Sequence, residues 1–201
     1  MRTKLRALAA LFGVAVLLLP AAASAAATTS LSQVIGSGTM TYDIVDGSGA
    51  SVASPSVAFP STTFDFACQT KSATLGTSTQ KVRINNPRLG GVKLDIAGTG
   101  SWSDGSHTYS YNDGAGSGCT NGQMTVGVGS FDFNQTSGAN TPTYTTPGGS
   151  FSGATPVTLF NNTSTTAWDA DLTGYTLSQK IPAEQPDGTY SLSMTLTAIE
   201  Q

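Results

Sequence analysis

The polar and aromatic residues that could bind or transform a ligand are concentrated between Trp102 and Gly114. His107, in this segment, is the only histidine of the chain. A Ser-His-Asp site would have to use it, but the sequence contains no G-x-S-x-G motif. One histidine also cannot supply the several nitrogen or sulfur ligands that bind a catalytic metal. We therefore predict that the protein is not an enzyme.

Carboxylates leave one enzymatic alternative open. Two aspartates can act as acid and base in a glycosidase if the fold brings them together. The candidates are Asp104, Asp113, Asp169 and Asp171. Because aspartate next to glycine or asparagine usually forms a turn, a secreted carbohydrate-active enzyme is the less favoured interpretation.

The same segment predicts a surface that binds a ligand. Alternate side chains of a strand project from one face, which would place His107, Tyr109 and Tyr111 side by side. Aromatic rings flanked by polar groups can stack on a sugar ring. The candidate platform consists of Trp102, Asp104, His107, Tyr109, Tyr111, Asn112 and Asp113. The favoured interpretation is nevertheless that the aromatic residues are ordinary core or cross-strand pairs, and the ligand platform is the alternative to it.

Oxygen-rich segments offer a second kind of site. Asn112-Asp113-Gly114 and Asp169-Ala170-Asp171 could bind a structural calcium ion outside the cell, since calcium prefers carboxylate and amide oxygens. Neither segment matches the twelve-residue loop of an EF-hand. Apart from this possible calcium, we expect no cofactor and no metal.

The elements that position these residues are predicted to be β-strands. Apolar and polar residues alternate with period two between clusters of Gly, Ser, Pro, Asn and Asp. The predicted strands are residues 39–45, 81–84, 92–96, 107–111, 124–128, 157–160, 175–181 and 190–198. We predict an all-β fold of about eight to ten strands, arranged as an antiparallel β-sandwich or a jelly roll.

The N-terminus has the features of a secretory signal peptide. Arg2, Lys4 and Arg6 precede a thirteen-residue apolar run, residues 7–19, and small residues follow. The run is shorter than the ~20 apolar residues of a membrane-spanning helix, so we expect no span in the mature chain. We predict a signal peptide at residues 1–27, a single domain at residues 28–201, and a protein that is secreted or associated with the cell surface.

The charge balance restricts the partners of the mature chain. Three of the nine basic residues lie in the leader, so six remain against twelve acidic residues, a net charge of −6. Such a surface has no basic stripe that would neutralise phosphates. We therefore expect binding to neither nucleic acid nor an anionic membrane.

Two cysteines, Cys68 and Cys119, are present in the chain. Thiols of an exported protein meet an oxidising environment, and an even number of them favours pairing. The sequence therefore predicts one disulfide bond between these two residues.

Two segments near the ends of the chain have sequence patterns that are similar to those of bacterial surface domains. Near the C-terminus a strand meets an Ile181-Pro-Ala turn, and Gly188-Thr-Tyr190 opens the final strand. Near the start of the mature chain, Ser37-Gly-Thr-Met-Thr41 is followed by Pro55-Ser-Val-Ala-Phe-Pro60. Together these segments resemble the WxL-type wall-binding domains of Gram-positive bacteria.

The WxL family is exported without a membrane anchor and attaches non-covalently to peptidoglycan. The resemblance thus implies a secreted bacterial surface protein that associates with a cell-wall polymer, a surface glycan or other surface proteins. The Trp-x-Leu motif that names the family is absent, because the two tryptophans occur as Trp102-Ser-Asp and Trp168-Asp-Ala. No particular residue of this chain can therefore be assigned the family's binding role.

A second resemblance points to a structural role. Gly188 and the alternation from Tyr190 to Leu196 are similar to the last strand of pilin subunits that a chaperone and an usher assemble. Such subunits insert an N-terminal extension into the open groove of a neighbour, which is strand addition at an exposed edge. Residues 28–35 would be that extension here. The alternative function is therefore a pilin-like or adhesin subunit that assembles by strand exchange.

Overall fold

The computed structural model describes residues 32–35 and 38–201. The predicted signal peptide, residues 1–27, lies outside the described residues. Residues 32–35 form no regular secondary structure, and their side chains are exposed. Within the two described ranges, no helix is long and apolar enough to cross a membrane.

Residues 38–201 form an all-β fold, which confirms the predicted fold class. The strands are β1 (Thr41–Val45), β2 (Gln69–Leu75), β3 (Lys81–Asn86), β4 (Val92–Ser103), β5 (Thr108–Tyr109), β6 (Gln123–Gly127), β7 (Asp132–Ser137), β8 (Tyr144–Thr145), β9 (Gly149–Ser150), β10 (Val157–Asn162), β11 (Trp168–Thr173), β12 (Tyr175–Ile181) and β13 (Ser191–Glu200). A single 3₁₀ turn, Ala115–Gly118, interrupts the strands in this part of the chain.

The strands form three antiparallel sheets. The first has the order β1-β3-β11-β7, the second has the order β13-β4-β10-β8 with β5 paired to β4, and the third has the order β2-β12-β6-β9. Strands β2 and β13 therefore lie at sheet edges, where β2 pairs with β12 and β13 pairs with β4. Their other edges make no strand pair within the described residues.

The three sheets pack against one another around one apolar core. In β3, Val82 and Ile84 are fully buried, while Lys81 and Arg83 alternate with them and keep contact with water. Strand β10 departs from simple alternation because a bulge between Thr158 and Phe160 shifts its register on β4. The larger buried side chains of the cluster include Leu94, Met124, Phe151, Leu159, Phe160, Trp168, Leu172 and Tyr175.

One ion cluster is buried on the outer face of the first sheet. The Asp171 side chain is only 1% exposed, and its oxygens accept hydrogen bonds from Lys81 Nζ at 2.8 Å and from Arg83 Nε at 2.7 Å and Nη2 at 3.0 Å. Burial pushes the pKa of Asp171 upward, but the hydrogen bonds from Arg83 and Lys81 outweigh it and leave the pKa below its ordinary value. The segment predicted as the calcium-binding loop Asp169-Ala170-Asp171 is therefore a strand, and one of its carboxylates already has two cationic partners.

Stability is expected to fall in acid. The pKa values of Asp46, Asp104, Asp113 and Asp171 all lie below the ordinary 3.8, each held down by hydrogen bonds in the folded chain. Because these folded-state values are lowered, the stabilisation is complete above the ordinary carboxyl pKa and is lost as the pH falls from there through the folded values. Urea unfolding followed from neutral pH to about pH 2 checks this. A free energy of unfolding that stays constant over the acid range would contradict it.

The predicted disulfide is present and joins Cys68 to Cys119, with their Cα atoms 5.6 Å apart. Cys68 directly precedes the edge strand β2, and Cys119 directly follows the 3₁₀ turn that leads into β6. Strand β12 lies between β2 and β6. The bond therefore ties two parts of the third sheet together across its middle strand.

Three sequence expectations about strands were wrong in detail. The predicted strand 107–111 contains only the two residues of β5, because the chain turns at Asp104–His107 and bends again at Tyr111. Strand β2 was not predicted because its sequence, QTKSATL, is mostly polar and lies at an edge. Strand β11 was not predicted as a strand because its two aspartates suggested a loop.

Candidate functional site

A cleft of about 490 Å³ opens beside the hairpin formed by β4 and β5. Its walls come from the segment that leads into β2, from β2 itself, from the end of β4, from β5, from β12 and from the turn that precedes β13. The aromatic residues that line it are Phe59, Phe64, Trp102, Tyr109 and Tyr190. The charged residues that line it are Asp65, Lys71 and Asp187.

A cross-strand pair of aromatic rings forms the centre of the cleft. Trp102 of β4 lies directly opposite Tyr109 of β5, and their rings stack with centroids 5.9 Å apart and planes 11° from parallel. Phe59 contacts the indole edge-on at 5.4 Å, and Tyr190 contacts Tyr109 at 5.2 Å. The Trp102 and Tyr109 side chains are half-buried, so part of each ring stays open to the cleft.

The local sequence explains why these two rings meet. In the turn Asp104-Gly-Ser-His107, Asp104 Oδ1 accepts hydrogen bonds from the backbone N–H of His107 at 2.6 Å and of Ser106 at 2.8 Å. Gly105 adopts φ 94°, which glycine tolerates far better than other residues. These hydrogen bonds lower the pKa of Asp104 to about 2, so its carboxylate is charged at neutral pH. Asp104 and His107 therefore close the hairpin that aligns Tyr109 with Trp102.

A buried glutamine, Gln179, holds the indole ring of Trp102 through a hydrogen bond. The Gln179 side chain is 1% exposed in the middle of β12, and its Oε1 accepts a hydrogen bond of 2.9 Å from Trp102 Nε1. Its Nε2 donates to the carbonyl oxygens of Ser110 at 3.1 Å and of Lys180 at 2.6 Å. Because both ends of the amide are bonded, the side chain is rigid and determines the orientation of Trp102.

The third ring is fixed by the turn before β13. Tyr190 accepts a hydrogen bond of 2.8 Å from Gln185 Nε2 and donates one of 3.0 Å to the Pro186 carbonyl. Gly188 of the same turn packs so closely on Asp104 that an added Cβ would collide with the Asp104 carboxylate. Burial, with a smaller contribution from Tyr190, raises the pKa of Tyr109 to about 12, so its phenol is neutral at physiological pH.

Two further aromatic side chains lie at the rim. Phe64 and Phe66 contact each other edge-on at 5.1 Å, although they are 52% and 78% exposed. Their segment is held in place by the neighbouring disulfide and by a backbone hydrogen bond of 2.8 Å from Glu184 N to the Asp65 carbonyl. Large aromatic side chains that stay in water beside a cleft are typical of a binding surface.

The structure separates the seven residues of the predicted platform. Trp102 and Tyr109 line the cleft, and Asp104 and His107 form the hairpin turn. Tyr111 is 4% exposed in the core, where its ring packs on Phe151 at 5.3 Å. The prediction that His107, Tyr109 and Tyr111 share one exposed face was therefore wrong, because the strand ends at Tyr109.

Asn112 and Asp113, the last two platform residues, stabilise a neighbouring loop. Asn112 Nδ2 donates to the Gly153 carbonyl. Asp113 accepts hydrogen bonds from Ala115 N at 2.8 Å and from Asn121 Nδ2. Neither residue lines the cleft. Over the residues that the structure describes, no three His, Cys, Asp or Glu side chains are grouped closely enough to hold a metal ion. Calcium binding at residues 112–114 stays a prediction.

Sequence reasoning missed Gln179 and Tyr190 as parts of the site. Gln179 occupies a core-facing position of β12 between Leu177 and Ile181, and a lone amide in an apolar alternation is a recognisable signal of a buried hydrogen-bonding role. Tyr190 was interpreted only as the first residue of the last strand. Its neighbour across the cleft is more than 80 positions away, and no local pattern predicts that contact.

Tyr111→Phe is expected to destabilise the protein by about 1 kcal/mol. Tyr111 Oη donates a hydrogen bond of 2.9 Å to the Gly98 carbonyl from within the core, and phenylalanine cannot make it. Tyr42→Phe is the matched control, because the Tyr42 side chain is 43% exposed on β1. Urea unfolding of both variants checks this, and equal midpoints would contradict a stabilising role for the Tyr111 hydroxyl.

These features define an all-β, disulfide-bonded protein with an aromatic cleft between its hairpin and its last turn. No known protein family, curated protein or solved structure matches the chain. The resemblance to WxL-type domains therefore stays an expectation from the sequence.

Proposed function

We propose that this protein is secreted and binds a cell-wall polymer or surface glycan non-covalently, with the sugar in the cleft of Trp102, Tyr109 and Tyr190. The observation that carries the proposal is the fixed set of three aromatic rings on a cleft that also presents amide and charged groups. A sugar ring has apolar C–H faces that pack on aromatic rings and hydroxyl edges that need polar partners. The cleft offers both within one volume of about 490 Å³.

The rigidity of the cleft supports binding. Gln179 holds the indole, Gln185 holds the Tyr190 phenol, and the Asp104 turn holds Tyr109. Rings that are already ordered lose little conformational entropy when a ligand binds. The predicted signal peptide and the Cys68–Cys119 bond support a role outside the cytoplasm, where disulfides persist.

The ligand-binding test uses the intrinsic fluorescence of Trp102. Trp168 is 2% exposed in the core, whereas Trp102 lines the cleft, so a ligand in the cleft changes the emission of one tryptophan. The purified, oxidised protein is titrated with soluble saccharide fragments that a muramidase releases from bacterial cell walls. We expect a saturable change in emission that persists in Trp168→Phe. A titration without any saturable change would contradict the proposal for this class of glycan.

Tyr109→Ala is expected to weaken fragment binding about 30-fold, which corresponds to about 2 kcal/mol for an aromatic anchor at the centre of a site. The matched control is Tyr42→Ala, which removes an exposed tyrosine of β1 that does not line the cleft. Thermal melting shows that each variant is folded. Equal affinities for the two variants would place the ligand outside this cleft.

A pilin-like subunit that assembles by strand exchange is the second candidate. Two observations favour it: β2 and β13 each leave one edge unpaired among the described strands, and Val34 and Ile35 are 95% and 85% exposed in a segment without regular secondary structure. Light scattering after size exclusion tests it. Polymers that disappear in the double variant Val34→Asp, Ile35→Asp would support strand exchange, and a stable wild-type monomer would contradict it.

A further inference from the structure

A second cavity, of about 640 Å³, adjoins the aromatic cleft. Phe59, Trp102 and Tyr190 line both cavities. These three side chains therefore form a wall that the two cavities share. The second cavity lies between the edge strands β2 and β13, with β1 also contributing to its wall. A ligand held against these rings in the cleft is therefore within reach of the second cavity.

The two cavities differ in chemistry. Leu75, Ile96, Met124 and Leu177 form part of the wall of the second cavity, together with the inward side chains of β13. Among the residues that the structure describes, no charged one lines this second cavity, whereas Asp65, Lys71 and Asp187 line the cleft. Ser56, Thr74, Thr77, Thr79, Gln80 and Ser191 also line the second cavity. The pair of cavities thus combines an aromatic compartment that carries charged groups with an uncharged, largely apolar one.

The β13 side of the apolar cavity consists of side chains that the fold leaves partly open. Leu192, Met194 and Leu196 alternate with exposed serine and threonine residues and remain only half-buried. Such a stripe gains further burial if an apolar ligand covers it. Each methylene transferred from water to an apolar site raises affinity by up to about fourfold.

An irregular segment, residues 53–64, covers one side of the cavity with its residues 55–59. These residues make no backbone–backbone hydrogen bond with any described residue. Val57 and Phe59 are half-buried and pack toward the core, and Ser56 N donates to Gln80 Oε1 at 2.8 Å. Gln69 holds the end of the segment, because its Nε2 donates to the Thr63 carbonyl at 2.8 Å and its Oε1 accepts from Thr62 Oγ1. The preceding residues, 53–61, make few hydrogen bonds, so this part can shift outward and admit a hydrocarbon chain between β2 and β13.

We propose that the protein binds a glycolipid, with the saccharide in the aromatic cleft and the hydrocarbon chain in the apolar cavity. The saccharide half of this inference rests on the proposed glycan-binding function. The hydrocarbon half rests on the uncharged lining, the half-buried stripe of β13 and the shared wall of Phe59, Trp102 and Tyr190. A hydrocarbon chain is favoured because it continues directly from a sugar in the adjoining cleft and needs no charged partner in the cavity lining. A peptide strand would instead pair with the open edges of β2 and β13, as in the strand-exchange candidate.

The test measures how affinity depends on the length of the chain. Hexyl, octyl and decyl maltoside, each below its micelle concentration, are titrated against the purified protein by Trp102 fluorescence, with free maltose as the reference. We expect the dissociation constant to fall with each added pair of methylenes, by up to about fourfold per methylene that is buried. A dissociation constant that does not change with chain length would overturn the hydrocarbon site.

The variant Leu192→Asp tests whether the hydrocarbon chain binds in the apolar cavity. Leu192 is half-buried on the edge strand β13, so an aspartate there stays hydrated in the free protein but opposes a hydrocarbon in the cavity. We expect the dependence on chain length to disappear in this variant and to persist in Ile199→Asp, whose side chain is 44% exposed on the same strand and does not line the cavity. A dependence that survives in Leu192→Asp would overturn the proposal. If Leu192→Asp does not fold, the titration of the wild-type protein with the three alkyl maltosides tests the hydrocarbon site by itself.

The two halves of the proposal fail in different ways. Binding of the wall-derived saccharide fragments without any chain-length effect would retain the proposed function and overturn the hydrocarbon site. A chain-length effect that Leu192→Asp removes, without any binding of the fragments, would overturn the glycan-binding function and retain the hydrocarbon site.

Discussion

Loss of the disulfide is expected to lower the free energy of unfolding by about 4 kcal/mol. The bond joins residues 51 positions apart, so it removes a large amount of chain entropy from the unfolded state. It also ties the edge strand β2 to the segment before β6 across β12. For a domain of this size the loss corresponds to a decrease of roughly 8–16 °C in the melting temperature.

The paired variant Cys68→Ser, Cys119→Ser and the reduced wild-type protein should show the same loss in urea unfolding. The double variant avoids the free thiol that a single substitution would leave. An oxidised protein that is no more stable than the reduced one would show that native strain cancels the entropic gain.

Asp171→Ala is expected to cost about 3 kcal/mol of stability. The substitution removes the carboxylate that Lys81 and Arg83 share in the first sheet and leaves two cations side by side. The expected value lies at the lower end for a broken buried pair, because the two basic side chains are 18% and 27% exposed and can recover part of their hydration. Thermal and urea unfolding at neutral pH measure the loss.

Asp132→Ala is the matched control for Asp171→Ala. Asp132 lies on the neighbouring strand β7 with an exposed side chain, and its removal should change stability by less than about 0.5 kcal/mol. Asp171→Asn should also reduce the dependence of stability on pH in acid, because it removes one of the carboxylates with a lowered pKa. Equal stabilities of Asp171→Ala and Asp132→Ala would show that the ion cluster does not stabilise the fold.

The fold class could be predicted from the sequence because period-two alternation survives wherever a strand has one buried face. Strands β3, β12 and β13 follow this pattern, and each was anticipated. The pattern fails where a strand is buried on both faces, as in β11, or where residues on the covered face are themselves polar, as in β2. Strand β11 carries Asp171 buried by an ion pair on its outer face, and β2 is an edge strand with a mostly polar sequence, so neither shows the expected alternation.

The candidate site was predicted only in part, because some of its residues meet through contacts between distant parts of the sequence. Trp102 and Tyr109 are seven positions apart and meet across a hairpin, which is a local event that the Asp-Gly turn signals. Tyr190 and Gln179 reach the same site through the packing of distant strands, and Phe59 through an irregular segment. Tyr111 was grouped with Tyr109 because a strand was assumed to continue, whereas the bend after β5 turns its ring into the core.

The arrangement of the molecule indicates how the proposed site would recognise a ligand with few charged groups. Aromatic rings supply contact area, and the amides of the buried Gln179 and the half-buried Gln185, rather than ion pairs, hold two of them in place. Binding of this kind should depend little on salt, because screening acts on charges and not on stacking or buried hydrogen bonds. Salt dependence therefore separates the proposed site from non-specific adsorption to a charged wall.

The most direct test of glycan binding is a pelleting assay with washed cell-wall sacculi. The purified, oxidised protein and its Tyr109→Ala variant are mixed with sacculi at low and high salt, and the pellets are analysed on gels. If the cleft binds glycan, the wild-type protein pellets saturably, and this pelleting survives high salt. Tyr109→Ala should not pellet at protein concentrations that saturate the wild type. Wild-type protein that stays in the supernatant at both salt concentrations, or pelleting that Tyr109→Ala leaves unchanged, would contradict glycan binding in the cleft.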